Sequence, residues 1–195
     1  MNVKIAVFIS GKGSNARKLQ EFFASDEFIQ VVLILSEKEN PMLESWCIEK
    51  SVLFLVIDPG NASNPEYLYA ICLKNEIQWI VLAGYLKKIP EKLLLAFPNR
   101  IINIHPSLLP KFGGKGMYGD FVHKAVLDAK EKKSGITIHL VNEEYDKGEV
   151  LAQYNFKLDS SESIESLRTK IQLTEHLYFP KVVRDFIMKN AIIKK

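Results

Sequence analysis

Short runs of β-branched and aromatic residues, each followed by a stretch of about ten residues with one apolar face, recur through the first half of the sequence. Nothing else constrains the fold as much. Val3 to Ile9 (VKIAVFI) is a compact apolar run broken by Ser10-Gly11, the pattern of a strand buried on both faces that enters a tight turn. Asn15 to Phe23 then places Leu19, Phe22 and Phe23 on one helical face. The pair repeats. Val31 to Leu35 reads as a strand, and Met42 to Glu49 as a helix started by Asn40-Pro41. Val52 to Ile57 is a strand, and Pro65 to Asn75 a helix with the same Asn-Pro start; Trp79 to Ala83 and Arg100 to Ile104 are the remaining strands of this half. Strands joined by helices of this length form right-handed βαβ units, so an α/β fold with a parallel sheet is expected. Such sheets bind ligands beyond the carboxyl ends of their strands. Three segments occupy those positions: Ser10 to Asn15, Gly84 to Ile89 and Asn103 to Leu109.

The second half reads differently. Lys111 to Gly119 (KFGGKGMYG) is too glycine-rich for regular structure and is expected to be an irregular loop. His123 to Lys132 resembles a polar-faced helix. Ile136 to Val141 and Val150 to Leu158 read as antiparallel neighbours, joined by a turn at Tyr145 to Glu149 in which Gly148 is available for positive φ. Ser163 to Lys189 is a long helical segment, interrupted or kinked near Pro180. No repeat or linker is visible in the 195 residues, so one domain is expected.

Charge narrows the partners. A net charge of +3, from 26 basic and 23 acidic residues, suits a local site for a small anion and is too dispersed to argue for nucleic acid. Cys47 and Cys72 have no CxxC partner and sit in apolar segments, as buried free thiols do in a reducing compartment. No apolar run approaches the length of a membrane span, and Met1 to Ile9 is too short for a secretory signal, so a soluble cytoplasmic protein is expected. No face can be called an interface from sequence, and a monomer or weak homodimer is the expectation.

Three elements carry chemistry. In Ser10-Gly11-Lys12-Gly13-Ser14-Asn15, glycines permit close backbone approach, and helix-start amides with the Ser14 and Asn15 side chains can donate to a phosphate. The alternative is a tight turn in which Ser14 or Asn15 caps the helix. The loop is neither a P-loop nor GxGxxG, and no acidic residue ends the second strand where a ribose would need one, so no nucleotide cofactor is expected. Asn103 and His105, two apart at a strand end, send their side chains to one face. An amide that can stabilise an oxyanion beside an imidazole that can move a proton suits acyl transfer. A satisfied structural histidine is the alternative. Asp146 lies in the turn after the strand that carries His139; alone it is a turn former, but near His105 it would raise the imidazole pKa and fix the ring. No Gly-x-Ser-x-Gly elbow is present, neither cysteine has a catalytic setting, and the histidines lack metal-site spacing, so neither covalent nor metal catalysis is expected. Direct transfer to a bound amine remains.

Ser10-Gly11-x-Gly13-Ser14-Asn15, Leu82-Ala83-Gly84-Tyr85, the block Asn103 to Lys111 (NIHPSLLPK), Gly135-x-Thr137-x-His139 with Asp146-x-Gly148, and Thr174-Glu175-His176 occur in that order. Together they resemble the folate-dependent formyltransferase family, and within it the phosphoribosylglycinamide formyltransferases (glycinamide ribonucleotide transformylases) of de novo purine biosynthesis. The resemblance covers essentially the whole chain. It implies a Rossmann-like three-layer sandwich: a mostly parallel seven-stranded sheet with helices on both faces. One formyltransferase domain over 1–195 is implied, with a phosphate-binding half at 1–105 and a folate-binding and carboxyl-terminal half at 106–195. The implied reaction passes the formyl group of 10-formyltetrahydrofolate, a co-substrate, to the amine of glycinamide ribonucleotide through a tetrahedral intermediate. No metal is implied.

The resemblance also implies roles. His105 would be the general acid, Asp146 would sustain its protonated form and help to order a water, and Asn103 would hold the intermediate. Gly13, Ser14 and Asn15 would bind the substrate phosphate, with Glu175 near the ribose. Leu86, Lys87, Lys88 and Ile89, with Asn142, Glu143, Glu144 and Tyr145, match the loops that enclose the pterin through backbone contacts. His139 is a secondary candidate. So is Asn64, which stands where some members have arginine near the folate tail; Lys87 likewise stands where arginine is common. The glycine-rich 112–119 segment departs from a shorter, proline-containing version, and reads either as a lid or as a harmless variant.

Four competitors remain. A methionyl-tRNA formyltransferase would be expected to carry a further RNA-binding domain, and a formyltetrahydrofolate hydrolase an amino-terminal regulatory domain. A sugar-amine formyltransferase would not need the SGxGSN loop. A non-catalytic binding module would not be expected to keep Asn103, His105 and Asp146 together.

Overall fold

In the computed structural model, which describes residues 2–192, the chain runs β1 (Val3–Ile9), α1 (Ser14–Phe23), β2 (Ile29–Ser36), α2 (Pro41–Glu49), β3 (Leu53–Val56), α3 (Pro65–Lys74), β4 (Trp79–Leu82), α4 (Glu91–Ala96), β5 (Ile101–His105), α5 (Asp120–Asp128), β6 (Lys133–Leu140), β7 (Val150–Lys157) and α6 (Ile164–Ile192). The strands form one seven-stranded, mostly parallel sheet in the order β3-β2-β1-β4-β5-β6-β7, a Rossmann-like α/β arrangement. Two compact units divide the chain, Met1–Asn103 and Ile104–Lys195.

In the first unit β1 lies at the centre, parallel to both β2 and β4, with β3 outside β2 and β5 outside β4. That position explains why its sequence does not alternate: Ile5 through Ile9 are all fully buried. Chain order proceeds outward from β1 through β2 to β3, then restarts on the other side at β4. This reversal is a topological switch point, and the carboxyl ends of β1 and β4 flank it. The two Asn-Pro signals do as expected. Asn40 caps α2 by accepting from Leu43 N, and Asn64 caps α3 by accepting from Glu66 N and Tyr67 N. Cys47 and Cys72 are free and buried, and burial pushes their thiols up to about 11 and about 12 respectively, which makes both poor nucleophiles.

In the second unit β6 pairs antiparallel with β7 as expected, and α6 packs against both strands. Gly135 is required on β6 because a Cβ there would stand 2.0 Å from the Tyr154 carbonyl oxygen. Among the described residues no helix is long and apolar enough to cross a membrane.

Several boundaries differ from the sequence reading, each for a local reason. α4 was not anticipated, because it has six residues and buries only Leu93. α5 begins three residues before His123 and stops at Asp128, where Lys130 takes a φ of 52°. His123 is buried with Val122 and Val126, while Lys124 and Asp128 stay exposed. α6 continues through Pro180 without a break. The turn before β7 takes its positive φ at Asp146 (56°), not at Gly148.

Candidate active site

His105 ends β5, because Pro106 confines the residue before it to extended backbone and cannot continue a ladder. The residue is 4% exposed. Its Nε2 lies 2.8 Å from the Phe112 carbonyl oxygen, which can only accept, so Nε2 carries a hydrogen in both charge states. Proton gain and loss therefore falls to Nδ1, which faces Asp146 Oδ2 at 3.5 Å. His139, on β6, repeats the arrangement: Nδ1–H donates to the Leu140 carbonyl at 2.7 Å, and Nε2 faces Asp146 Oδ1 at 3.6 Å. One carboxylate thus presents one oxygen to each of two imidazoles. Gly114 N–H adds a donor to Oδ2 at 2.8 Å.

The turn that delivers Asp146 is built tightly. Aspartate is among the few side chains that tolerate left-handed backbone. Gly148 is needed for space instead: a Cβ would sit 1.7 Å from the Leu140 carbonyl oxygen. Gly113 is needed for the same kind of reason, because its Cβ would come 2.5 Å from Leu109 Cδ2 and 3.2 Å from Asp146 Cβ. The glycine-rich segment therefore lines this site, supplying the Phe112 carbonyl and the Gly114 amide.

Electrostatics depart from the sequence expectation. Burial lowers the His105 pKa, Asp146 and the Phe112 carbonyl raise it, and His139 lowers it again; the net direction is down from 6.5. The carboxylate pushes as anticipated, but desolvation of a nearly buried ring outweighs it. Burial also works to raise Asp146, yet the His139 hydrogen bond, His105 and the Gly114 amide together hold its carboxyl below the ordinary value. Asp146 is thus ionised, and a proton placed on His105 is readily given up. Such a group can act as a general acid towards nitrogen or a developing oxyanion.

Asn103 lies two residues before His105 on β5, half-buried, beside Leu82 of β4. Beyond the strand, the chain is fixed by Thr137. Its hydroxyl donates to the Ser107 carbonyl at 2.6 Å and accepts from Leu109 N–H at 3.0 Å and Gln153 Nε2 at 2.9 Å, which exhausts its capacity. Gln153 also donates to the Leu109 carbonyl at 2.9 Å, and Ser107 Oγ to the Lys111 carbonyl at 2.8 Å.

In the first unit, the loop after β1 enters α1 through Gly13 at φ 76°, where a Cβ would meet Leu43 Cδ2 at 2.6 Å. Gly13 holds the N-cap position of α1, so neither Ser14 nor Asn15 occupies it. Both residues occupy the first helical turn, where amides point outwards and favour an anion. Leu86 to Ile89 follow β4. Leu86 and Lys87 are exposed, Ile89 is buried, and Leu86 N–H donates to Ser10 Oγ at 2.9 Å. Tyr85, just before them, is buried against Phe8 and donates its hydroxyl to the Ala62 carbonyl at 2.7 Å.

Asn142 shapes its own loop by accepting from Glu144 N–H at 3.0 Å, and Glu143, Glu144 and Tyr145 are exposed. Glu175 is half-buried on α6. Asn64 is committed to capping α3 and donates to Asn61 Oδ1 at 3.1 Å. One residue was missed. β2 extends to Ser36, one position further than read from sequence, so an acidic residue, Glu37, does follow the second strand. Its carboxylate is turned to Ser10 and Lys87.

Known proteins resemble this chain over nearly its whole length. The family model described as formyl transferase matches residues 3–183. The chain is 42% identical over 187 residues to the chloroplastic phosphoribosylglycinamide formyltransferase of Arabidopsis thaliana, covering 92% of this chain and 64% of that protein, so it spans less than two thirds of that relative's length. It is 30% identical to the phosphoribosylglycinamide formyltransferase of Bacillus subtilis, covering 96% of each. The crystal structure of phosphoribosylglycinamide formyltransferase from Bacillus halodurans superposes with a TM-score of 0.85 at 29% identity, covering 96% of both chains. With a family match of that extent, the chain belongs to the formyl transferase family, among relatives that are phosphoribosylglycinamide formyltransferases.

Proposed function

We propose that this protein transfers the formyl group of 10-formyltetrahydrofolate to the amine of glycinamide ribonucleotide. The observation that carries the reading is the convergence of His105 and His139 on the ionised Asp146, at the end of the strand that bears Asn103. In the reaction the acceptor nitrogen attacks the formyl carbon and forms a C–N bond. The carbonyl oxygen becomes an oxyanion, which the Asn103 amide and protonated His105 stabilise. The bond from the formyl carbon to the folate nitrogen then breaks. One proton leaves the acceptor nitrogen, one reaches the folate nitrogen, and His105 Nδ1 with Asp146 holds the proton in transit.

Gly13, Ser14 and Asn15 bind the acceptor phosphate in this reading, supported by the glycine at the N-cap of α1. Glu175 takes the ribose hydroxyls. Leu86 to Ile89 and Asn142 to Asp146 offer backbone groups to the pterin. Asn64 is spent on its helix, so contact with the folate tail falls to other groups.

The test is to incubate the protein with 10-formyltetrahydrofolate in the presence and absence of glycinamide ribonucleotide. Formylated ribonucleotide, formed one for one with deformylated folate, is the expected result. Deformylation without the ribonucleotide would instead make the protein a hydrolase, and no turnover in either mixture would end the enzyme reading.

A further inference from the structure

Glu37 follows β2 at the switch point of the first unit, and its side chain is only 10% exposed. A carboxylate so enclosed needs partners. Among the described residues it has two: one oxygen accepts the Ser10 hydroxyl, and the other lies 3.9 Å from Lys87 Nζ. Ser10, 6% exposed, accepts Leu86 N–H at 2.9 Å on the same oxygen. A serine has one O–H, so its direction is settled by these contacts. The chain of bonds runs from the Leu86 amide to the Ser10 hydroxyl to the Glu37 carboxylate, and the Lys87 ammonium returns the charge. Around it, Ser10 N–H donates to the Gly84 carbonyl at 3.0 Å and Glu37 N–H to the Ile9 carbonyl at 3.4 Å. Residues following β1, β2 and β4 are thereby joined, and the two drawn in from β4 open the segment assigned above to the pterin.

We propose that Glu37 is a positioning residue for the folate-binding segment Leu86 to Ile89, which it holds through Ser10 and Lys87. This rests on the folate assignment of that segment. A carboxylate suits the task because it accepts from the hydroxyl and neutralises Lys87 together; glutamine would keep the first contact and lose the second. Bonds in such a chain reinforce one another: removing Ser10 takes away the Leu86 acceptor, and removing Glu37 leaves the hydroxyl free to turn and weakens that bond.

The test compares E37A, S10A, the double variant and E37Q with the wild-type protein, reading amide hydrogen exchange at Leu86, KM for 10-formyltetrahydrofolate and KM for glycinamide ribonucleotide. In E37A the Leu86 amide should exchange about tenfold faster, and the folate KM should rise about tenfold, the effect of losing one charge-assisted hydrogen bond. The ribonucleotide KM should stay within about threefold. S10A should lose at least as much as E37A, the double variant should be no worse than S10A, and E37Q should recover most of the Leu86 protection. Unchanged exchange and folate KM in E37A would overturn the proposal. So would additive losses in the double variant, or equal losses for both substrates accompanied by a fall in melting temperature. If the wild-type protein transfers no formyl group, the functional reading fails separately, because exchange at Leu86 still reports whether Glu37 holds the segment.

Discussion

Asp146→Asn isolates charge from shape. Asparagine tolerates the left-handed backbone at this position, and its amide oxygen still accepts from Gly114 N–H. What disappears is a negative charge 3.5 Å from His105 Nδ1 and 3.6 Å from His139 Nε2. The His105 and Asp146 side chains are 5% and 11% exposed, so little solvent screens the pair. At an effective dielectric of about 20, a unit pair at that distance is worth about 5 kcal/mol. If relaxation and water entry halve this, about 2.5 kcal/mol remains, a factor of roughly a hundred in the protonated fraction of His105. Burial already holds that ring below its ordinary pKa, and in the variant only the Phe112 carbonyl would still oppose it.

The sign in pH follows from this. If transfer needs protonated His105, wild-type kcat/KM falls as pH rises through the His105 pKa, and in Asp146→Asn that limb moves to lower pH. The wild-type to variant ratio should therefore be smallest in acid and grow to about a hundredfold or more at neutral pH. Initial rates of formyl transfer from pH 5 to 8.5, with melting temperatures for both proteins, supply the measurement. A ratio that stays flat across the range, or a loss below about tenfold at neutral pH with the fold intact, would refute the argument that Asp146 acts by sustaining charge on His105.

Other expectations follow from the same contacts. Replacing Ser14 and Asn15 with alanine should weaken ribonucleotide binding about tenfold or more while the folate affinity holds within about threefold; equal losses would count against a phosphate site at the start of α1. Thr137→Val keeps the side-chain shape but strips a partner from Leu109 N–H, the Ser107 carbonyl and Gln153, so urea denaturation should show a loss of about 2–4 kcal/mol, and less than 1 kcal/mol would mean that water or neighbours replace the hydroxyl. Burial lowers both the His105 and the His123 pKa from 6.5, so both take up protons more readily unfolded than folded. Their stabilisation is complete above pH 6.5 and is lost as pH falls from there towards the folded values, whereas Asp146, held below 3.8, keeps its contribution until stronger acid. Urea midpoints should drop between pH 7.5 and 5.5, and a rise would show the sign to be wrong.

The parallel strands were legible because a central strand buried on both faces has to be a continuous apolar run, and Val3–Ile9 is one. Helices α2 and α3 were legible because asparagine before proline leaves little choice of start, and both asparagines do cap. α5 carried no comparable signal: its cap is Gly119 at φ 53°, with no side chain in the role. In the site, Asn103 and His105 could be paired because period-two geometry acts over a single strand. The contacts that hold them come from elsewhere in the chain. No pattern in KFGGKGMYG tells that Phe112 offers its carbonyl to His105 and Gly114 its amide to Asp146, since those groups are common to every residue and only tertiary placement distinguishes them. Glu37 was passed over for a smaller reason, a strand end read one residue short.

The one error of sign, the direction of the His105 pKa, has the same origin. A carboxylate beside an imidazole argues for a raised value when both are wet, and the sequence names the partners without their burial. Burial penalises the imidazolium and also removes the solvent that would screen its attraction to Asp146. The ring is consequently harder to charge than a free histidine, yet more dependent on one carboxylate for whatever charge it carries. This makes the position of Asp146 decisive, and the surrounding sequence is constrained accordingly. Gly148 lets the turn fold back onto the Leu140 carbonyl, Gly113 lets the facing loop approach Asp146 Cβ, and Asp146 itself accepts left-handed backbone to reach between the two rings. Residues that look like turn formers in the sequence are therefore what sets the charge of the histidine.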